Sequence, residues 1–312
     1  MHADLLSHIK WFTDPRAHPT DWSLLGSLPV TAAIAIALLS AGAAYLVRRR
    51  FPEPRAVKVL ERFARIAPAV LGLHVGFALL VSALLGILFS PNLRPNGDAL
   101  GQAILVVEAM CGSMLVLGLA TRAAAVLLAI LGLIAMQPFT LESMLENALF
   151  LGVAIFFFIV GRGPLSLDRA RGVRPPFRSD EAPTWALTLL RLSLGFAIAF
   201  GALTEKLLDP KLAQALLDAR PYLNFVRPLG VADPLFVYLA GLTELVIGVV
   251  IMSGQLTRPV MAVGAVLFTA TVPLFGWTEL LGHLPYYGIM FVLFLAADPD
   301  SPHVKRQLRP AA

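Results

Sequence analysis

Hydrophobic residues run along the chain in long blocks separated by short polar segments, and nine blocks are long enough to read as bilayer-crossing helices. They fall near 25–47, 67–90, 100–120, 123–141, 146–161, 185–207, 235–254, 259–277 and 284–297, the fifth and ninth being the shortest. The first block starts late and follows an acidic and aromatic arm (Asp4, Trp11, Asp14, Asp21, Trp22) rather than a basic region. It is therefore an anchor and not a cleaved signal peptide. Between the first two blocks, Val57, Leu60 and Ala64 recur at helical intervals among Lys58, Glu61 and Arg62, so Pro54 to Ile66 reads as a short interfacial helix.

The polar positions inside these blocks repeat. Glu108, Gly112, Gly118, Thr121 and Arg122 recur 136 positions later, without a gap, as Glu244, Gly248, Gly254, Thr257 and Arg258. The preceding helix aligns at an offset of 119: Gly76, Phe77, Ala78 and the closing Ser90–Pro91 match Gly195, Phe196, Ala197 and Asp209–Pro210. The difference of 17 residues is the longer loop 208–233 of the second half. It carries Asp209, Lys211, Asp218, Arg220, Tyr222 and Arg227 and is expected to fold over the outer mouth of the bundle.

The expected fold is all-α: a polytopic bundle of about nine transmembrane helices. Its divisions are an arm, first helix and basic loop (1–65), a first four-helix repeat (66–175), a second (176–298) and a tail (299–312).

Composition fits this picture, since 57% hydrophobic and 14% charged residues with a mean hydropathy of +0.76 do not suit a water-soluble surface. The net charge of +5 does not indicate a nucleic-acid partner, because the basic residues sit in short loops between apolar runs. Residues 48–65 carry Arg48, Arg49, Arg50, Arg55, Lys58, Arg62 and Arg65, and residues 162–182 carry Arg162, Arg169, Arg171, Arg174 and Arg178. Those loops are assigned to the cytoplasm. With nine crossings, Arg122, Arg258 and the tail residues Lys305, Arg306 and Arg309 fall on the same side, giving an outer amino terminus and a cytoplasmic carboxyl terminus. An even number of helices per repeat makes the repeats parallel, related by an axis along the membrane normal.

Chemistry is sparse. A single cysteine, Cys111, excludes a CxxC relay, an internal disulfide and a thiolate metal cluster. There is no Walker loop, dinucleotide fingerprint, His-Glu-x-x-His or Cys-His haem signature, so no metal site is expected. The candidates are polar residues inside apolar spans, where ionisable groups are costly and usually functional. Glu108 and Glu244 either bind a proton or polar ligand, or pair with a base such as Arg191, Lys206, Arg122 or Arg258. Arg122 and Arg258 follow the glutamates by about 21 Å of helix, too far for direct neutralisation, and read as structural or interfacial anchors. Arg191, inside the sixth helix, either snorkels or meets a carboxylate. Adjacent side chains on a helix diverge by about 100°, so Glu205 and Lys206 must find separate partners, such as Glu244, Glu279 or His283. His74, in the uncharged run 66–93, is either a proton or quinone contact or a packed residue bonded to a backbone carbonyl. His283, Tyr286 and Tyr287 replace Asn147, Phe150 and Leu151 of the first repeat.

Several of these residues resemble the DoxX family of small four-helix membrane proteins. The likeness in 185–298 rests on Gly195, Phe196 and Gly201, on Glu205–Lys206–Leu207 with Asp209–Pro210, and on Glu244, Gly248, Gly254, Thr257 and Arg258. The first half adds Gly161, Gly163 and Ser166–Leu167–Asp168, similar to the family's Gly-x-Gly-x-x-Ser-Leu-Asp close. It departs in having Gly86–Ile87 where the second half has Glu205–Lys206, while the second half ends in Asp298, Pro299 and Asp300 instead of Ser-Leu-Asp. The resemblance implies a duplicated unit in an inner membrane. It further implies an accessory or quinone-linked subunit of a membrane redox or oxidative-stress system, with quinone the candidate ligand and other redox subunits the candidate partners. A proton-coupled transporter and a ligand-free scaffold are the alternatives.

Overall fold

A computed structural model describes residues 9–14, 17–51, 53, 55–177 and 182–296. Asp4, Pro54, Arg178, Asp298, Pro299, Asp300 and the tail cations Lys305, Arg306 and Arg309 lie outside the described residues.

Among the described residues every regular element is helical. The helices are α1 (Leu28–Arg50), α2 (Ala67–Leu84), α3 (Ala99–Leu117), α4 (Thr121–Ile130), α5 (Leu141–Glu146), α6 (Leu149–Val160), α7 (Leu167–Ala170), α8 (Thr184–Ala202), α9 (Pro210–Ala219), α10 (Asp233–Ser253) and α11 (Thr257–Leu295). Single π-turns extend α4 over Leu131–Ala135 and α8 over Leu203–Leu207. Six helices, Leu28–Arg50, Val59–Leu84, Ala99–Leu117, Thr184–Leu207, Asp233–Ser253 and Thr257–Leu295, are long and apolar enough to cross a bilayer. The chain is a multi-pass membrane protein.

The remaining expected spans have a different form. Segments 123–141 and 146–161 correspond to the shorter apolar helices Thr121–Ala135 and Leu149–Val160, the second only about 18 Å long against a hydrocarbon core of about 30 Å. Segments 259–277 and 284–297 fall within α11, which breaks at Gly276 (φ 73°, ψ −152°), a conformation only glycine adopts readily. The expected interfacial helix is a 3-10 helix, Arg55–Ile66, that runs into α2. Val59 and Phe63 are exposed on it, and the Arg62 guanidinium lies 4.7 Å from the centre of the Phe63 ring.

Glycine pairs set the closest helix contacts. α2 packs on α3 and α8 on α10. A methyl group on Gly76 would lie 2.7 Å from the Gly112 carbonyl oxygen, and one on Gly112 would lie 2.6 Å from that of Gly76. Gly195 and Gly248 meet in the same way, at 2.6 Å in each direction. Such small residues let helix backbones approach where lipid supplies no hydrophobic drive between helices. Two further helix contacts also involve a glycine: α2 packs on α11, where Gly288 faces His74, and α6 packs on α8, where Gly152 faces Ser193. α1 leans on α10 through Val30, Ala33 and Ala37, leaving Leu28, Leu38, Leu39 and Leu46 exposed, as a lipid-facing helix requires.

The turns into α4 and α11 share one conformation. Gly118 (φ 62°) and Ala120 (φ 48°) precede Thr121, and Gly254 (φ 71°) and Leu256 (φ 49°) precede Thr257. Asp168 holds the first turn: its carboxylate accepts from the amides of Ala120 (2.6 Å) and Thr121 (2.8 Å), and its own amide donates to the Gly118 carbonyl (2.9 Å). The Ser-Leu-Asp close thus has a local structural task. Asp168→Ala is expected to cost about 1 kcal/mol, read as a lower melting temperature in detergent.

Candidate functional site

A group of buried polar residues gathers at one end of the bundle, beneath the amino-terminal arm. The arm enters as a three-residue 3-10 turn, Ile9–Trp11. Lys10 is 7% exposed and pairs with both Glu142 and Glu146, which α5 presents one turn apart. Thr20 donates to Glu142 (2.8 Å) and Thr204 donates to Glu146 (2.9 Å), completing a buried network. Burial opposes the charge on Lys10, but the carboxylates of Glu146, Glu205 and Glu142 outweigh it and hold Lys10 above its ordinary range. Ile9 adds its backbone amide, which donates to Glu205. Its side chain packs in a cluster with Leu212, Leu216, Val237 and Phe275, which sets α9, in the long loop, against the arm.

Glu205 and Lys206 sit on the π-turn that ends α8, a distortion common at functional sites. Both are buried and they diverge as helix geometry requires: Glu205 meets the arm, while Lys206 Nζ is 2.8 Å from Glu244 on α10. Beyond the Gly276 break, Glu279 accepts from Thr271 and lies 3.5 Å from His283 Nδ1. His283 stacks on Phe268 (4.2 Å between ring centres) and meets the Trp11 indole at 5.7 Å.

A small cavity of about 20 Å3, room for roughly one water molecule, lies among these groups. Glu146, Glu205, Tyr286 and Asn147 give it polar walls, and Trp11, Phe89 and Phe150 give it aromatic ones. Its lining draws on both halves of the chain, with Glu146 and Gly282, Leu149 and Pro285, and Phe150 and Tyr286 each 136 positions apart. Its carboxylates, phenol and amides beside aromatic rings are groups that bind a flat ligand with polar edges, but the space must widen to admit one.

The two repeated glutamates have different partners. Glu244 pairs with Lys206, whereas fully buried Glu108 accepts from the amide of Phe89 at 2.8 Å, and its second oxygen has no partner among the described residues. The counterpart of Lys206 is Ile87, so the first half offers no lysine. Phe89 takes a left-handed conformation (φ 61°) that aims its amide at the acid, and its ring stacks on Phe150 in the pocket wall.

The other candidates lie apart. His74 bonds its ring nitrogen to the Val70 carbonyl (2.8 Å), as a packed histidine does. Arg122 is exposed and lies 4.5 Å over the Phe158 ring, as an interfacial residue does. Arg258 is bonded internally rather than exposed. It is 5% exposed and donates to the carbonyls of Phe294 (2.7 Å) and Ala296 (3.0 Å) and to Glu53 and Glu61, closing the end of α11 onto the basic linker. Arg191 lies against the Gly254 turn, where a methyl group on Gly254 would fall 1.4 Å from its Nη1. Sequence reasoning omitted Lys10, Glu142 and Glu146. The available signal was a lone lysine in an acidic arm and two acids one helical turn apart before an apolar block.

Comparison of the chain with known protein families, curated proteins and solved structures finds no match in any of the three.

Proposed function

We propose that the protein is a DoxX-like accessory subunit of a membrane redox or oxidative-stress system that holds a quinone-type head group in the pocket beneath the arm. The proposed arrangement has nine crossings: one helix (1–65), two parallel four-helix repeats (66–175 and 176–298) and a cytoplasmic tail (299–312). The membrane is the inner one, with the arm outside. Several matched contacts support the duplication. Arg122 meets Phe158 and Arg258 meets Phe294, each pair 36 positions apart. Gly76–Gly112 is echoed by Gly195–Gly248, and the Gly288–His74 contact by Gly152–Ser193. The Gly276 break divides α11 into two segments, as nine crossings require.

The observation that carries the ligand reading is the chemistry of the pocket lining, and the reading requires the arm to lift so that the space widens. Tyr286 and Asn147 line the pocket together with the rings of Phe89, Phe150 and Trp11, a set of groups that suits a flat ring with carbonyl edges. The test is quinone extracted from protein purified in mild detergent, followed by titration with decylubiquinone. Bound quinone is expected, with Tyr286→Phe weakening decylubiquinone binding about 10-fold. If no quinone copurifies and decylubiquinone does not bind, the reading fails. Proton-coupled transport is the second reading, favoured by the buried network of Lys10, Glu142, Glu146 and Glu205. Proton uptake into liposomes driven by a solute gradient would favour it over the first.

A further inference from the structure

The arm lies against the pocket and has little holding power of its own. Its turn is three residues long, and its tethers reach far along the chain: Lys10 to Glu142 and Glu146, and Ile9 to Glu205, 132, 136 and 196 positions away. A three-residue 3-10 turn has almost no internal hydrogen bonding to hold it in shape, so these contacts fix its position. They are concentrated on the pocket. Trp11 forms one wall, with its indole over Gly282 so closely that a methyl group there would lie 2.1 Å from the ring. Lys10 binds Glu146, a lining residue, and the Ile9 amide binds Glu205, another.

The electrostatics bias the arm toward the closed position. Lys10 carries the positive charge between Glu142 and Glu146, and Lys206 is already engaged by Glu244. Lifting the arm would leave carboxylates facing one another in a weakly solvated end of the bundle, which is unfavourable. Opening is therefore a minor state that a ligand must draw on, and ligand affinity is reduced by the fraction of time spent closed.

We infer that Ile9–Trp11 is a strap that closes the pocket, with Lys10 as its latch and Gly282 as the seat that lets Trp11 lie flat. The strap rests on the pocket being a ligand site, but its movement is measurable without any ligand. Cys111, the only cysteine in the sequence, is fully buried, so a Cys111→Ala background provides a clean thiol count. In that background Ser90→Cys adds a reporter to the pocket lining, and its reaction with N-ethylmaleimide is timed. Slow reaction is expected with the native strap and with Lys10→Arg. Reaction at least about 10-fold faster is expected with Lys10→Met, which removes the latch, and with Gly282→Ala, which displaces Trp11 sterically. Size-exclusion profiles establish that each variant is folded, and Gly282→Ala carries the test if Lys10→Met does not fold. Equal reaction rates in native-strap and Gly282→Ala proteins overturn the strap, even if decylubiquinone binds. Accelerated reaction supports it even if decylubiquinone does not bind.

Discussion

Lys206→Met is expected to destabilise the protein by about 3 kcal/mol, and adding Glu244→Met is expected to recover most of that loss. The reason lies in the sequence of α8 and α10. Lys206 is carried inward by the π-turn, and its ammonium meets Glu244 at 2.8 Å. Removing one member of a buried pair leaves the other charged and unsatisfied, at a cost of about 3–5 kcal/mol, whereas replacing both with apolar residues is often neutral. The Glu244 side chain is 23% exposed, which puts the single variant at the lower end of that range. Chemical denaturation in detergent, run as a double-mutant cycle, measures the coupling directly. A double variant no more stable than Lys206→Met alone would show that the pair does not hold α8 to α10.

The second large effect belongs to the glycine crossings. Gly112→Ala and Gly248→Ala are each expected to cost about 1–3 kcal/mol despite the better helix propensity of alanine. In the first, the new methyl would meet the Gly76 oxygen at 2.6 Å and the Leu80 nitrogen at 2.7 Å; in the second, the Gly195 oxygen at 2.6 Å and the Ala199 nitrogen at 2.7 Å. These obstacles are backbone atoms, so the helices themselves must separate. Gly42→Ala on α1, where nothing lies within 4 Å, is the control and should be neutral or stabilising. Melting temperatures in detergent distinguish the cases, and equal stability of all three variants would mean that the crossings tolerate separation.

The all-helical, membrane-spanning class was legible because long apolar blocks admit few other structures in a bilayer. Block boundaries were followed closely by α1, α2, α3, α8 and α10. The last two expected spans became one element because a single glycine, Gly276, breaks the helix without a polar loop. Within the site, the divergence of Glu205 and Lys206 followed from helix geometry alone, and Lys206 did find Glu244, one of its expected partners. Lys10 was not legible because its partners lie more than 130 residues away and its arm looked merely acidic and aromatic. The partners of Arg258 were not legible from its place at a helix start. An arginine at a helix start commonly points to the interface, but here the carboxylates of Glu53 and Glu61 in the preceding linker and the open carbonyls ending α11 draw it inward.

The pocket is lined by matched pairs, Glu146 with Gly282, Leu149 with Pro285, and Phe150 with Tyr286. On the proposed duplication, equivalent positions of both halves therefore look into one shared space. Two identical subunits meeting this way would build a single site on their symmetry axis and present the same groups from either side, leaving a ligand free to bind in two equivalent poses. Joining them in one chain removes that degeneracy: a phenol now faces a phenyl ring and a carboxylate faces bare backbone. On the proposed ligand reading, the expected stoichiometry is one ligand per chain, bound in one orientation.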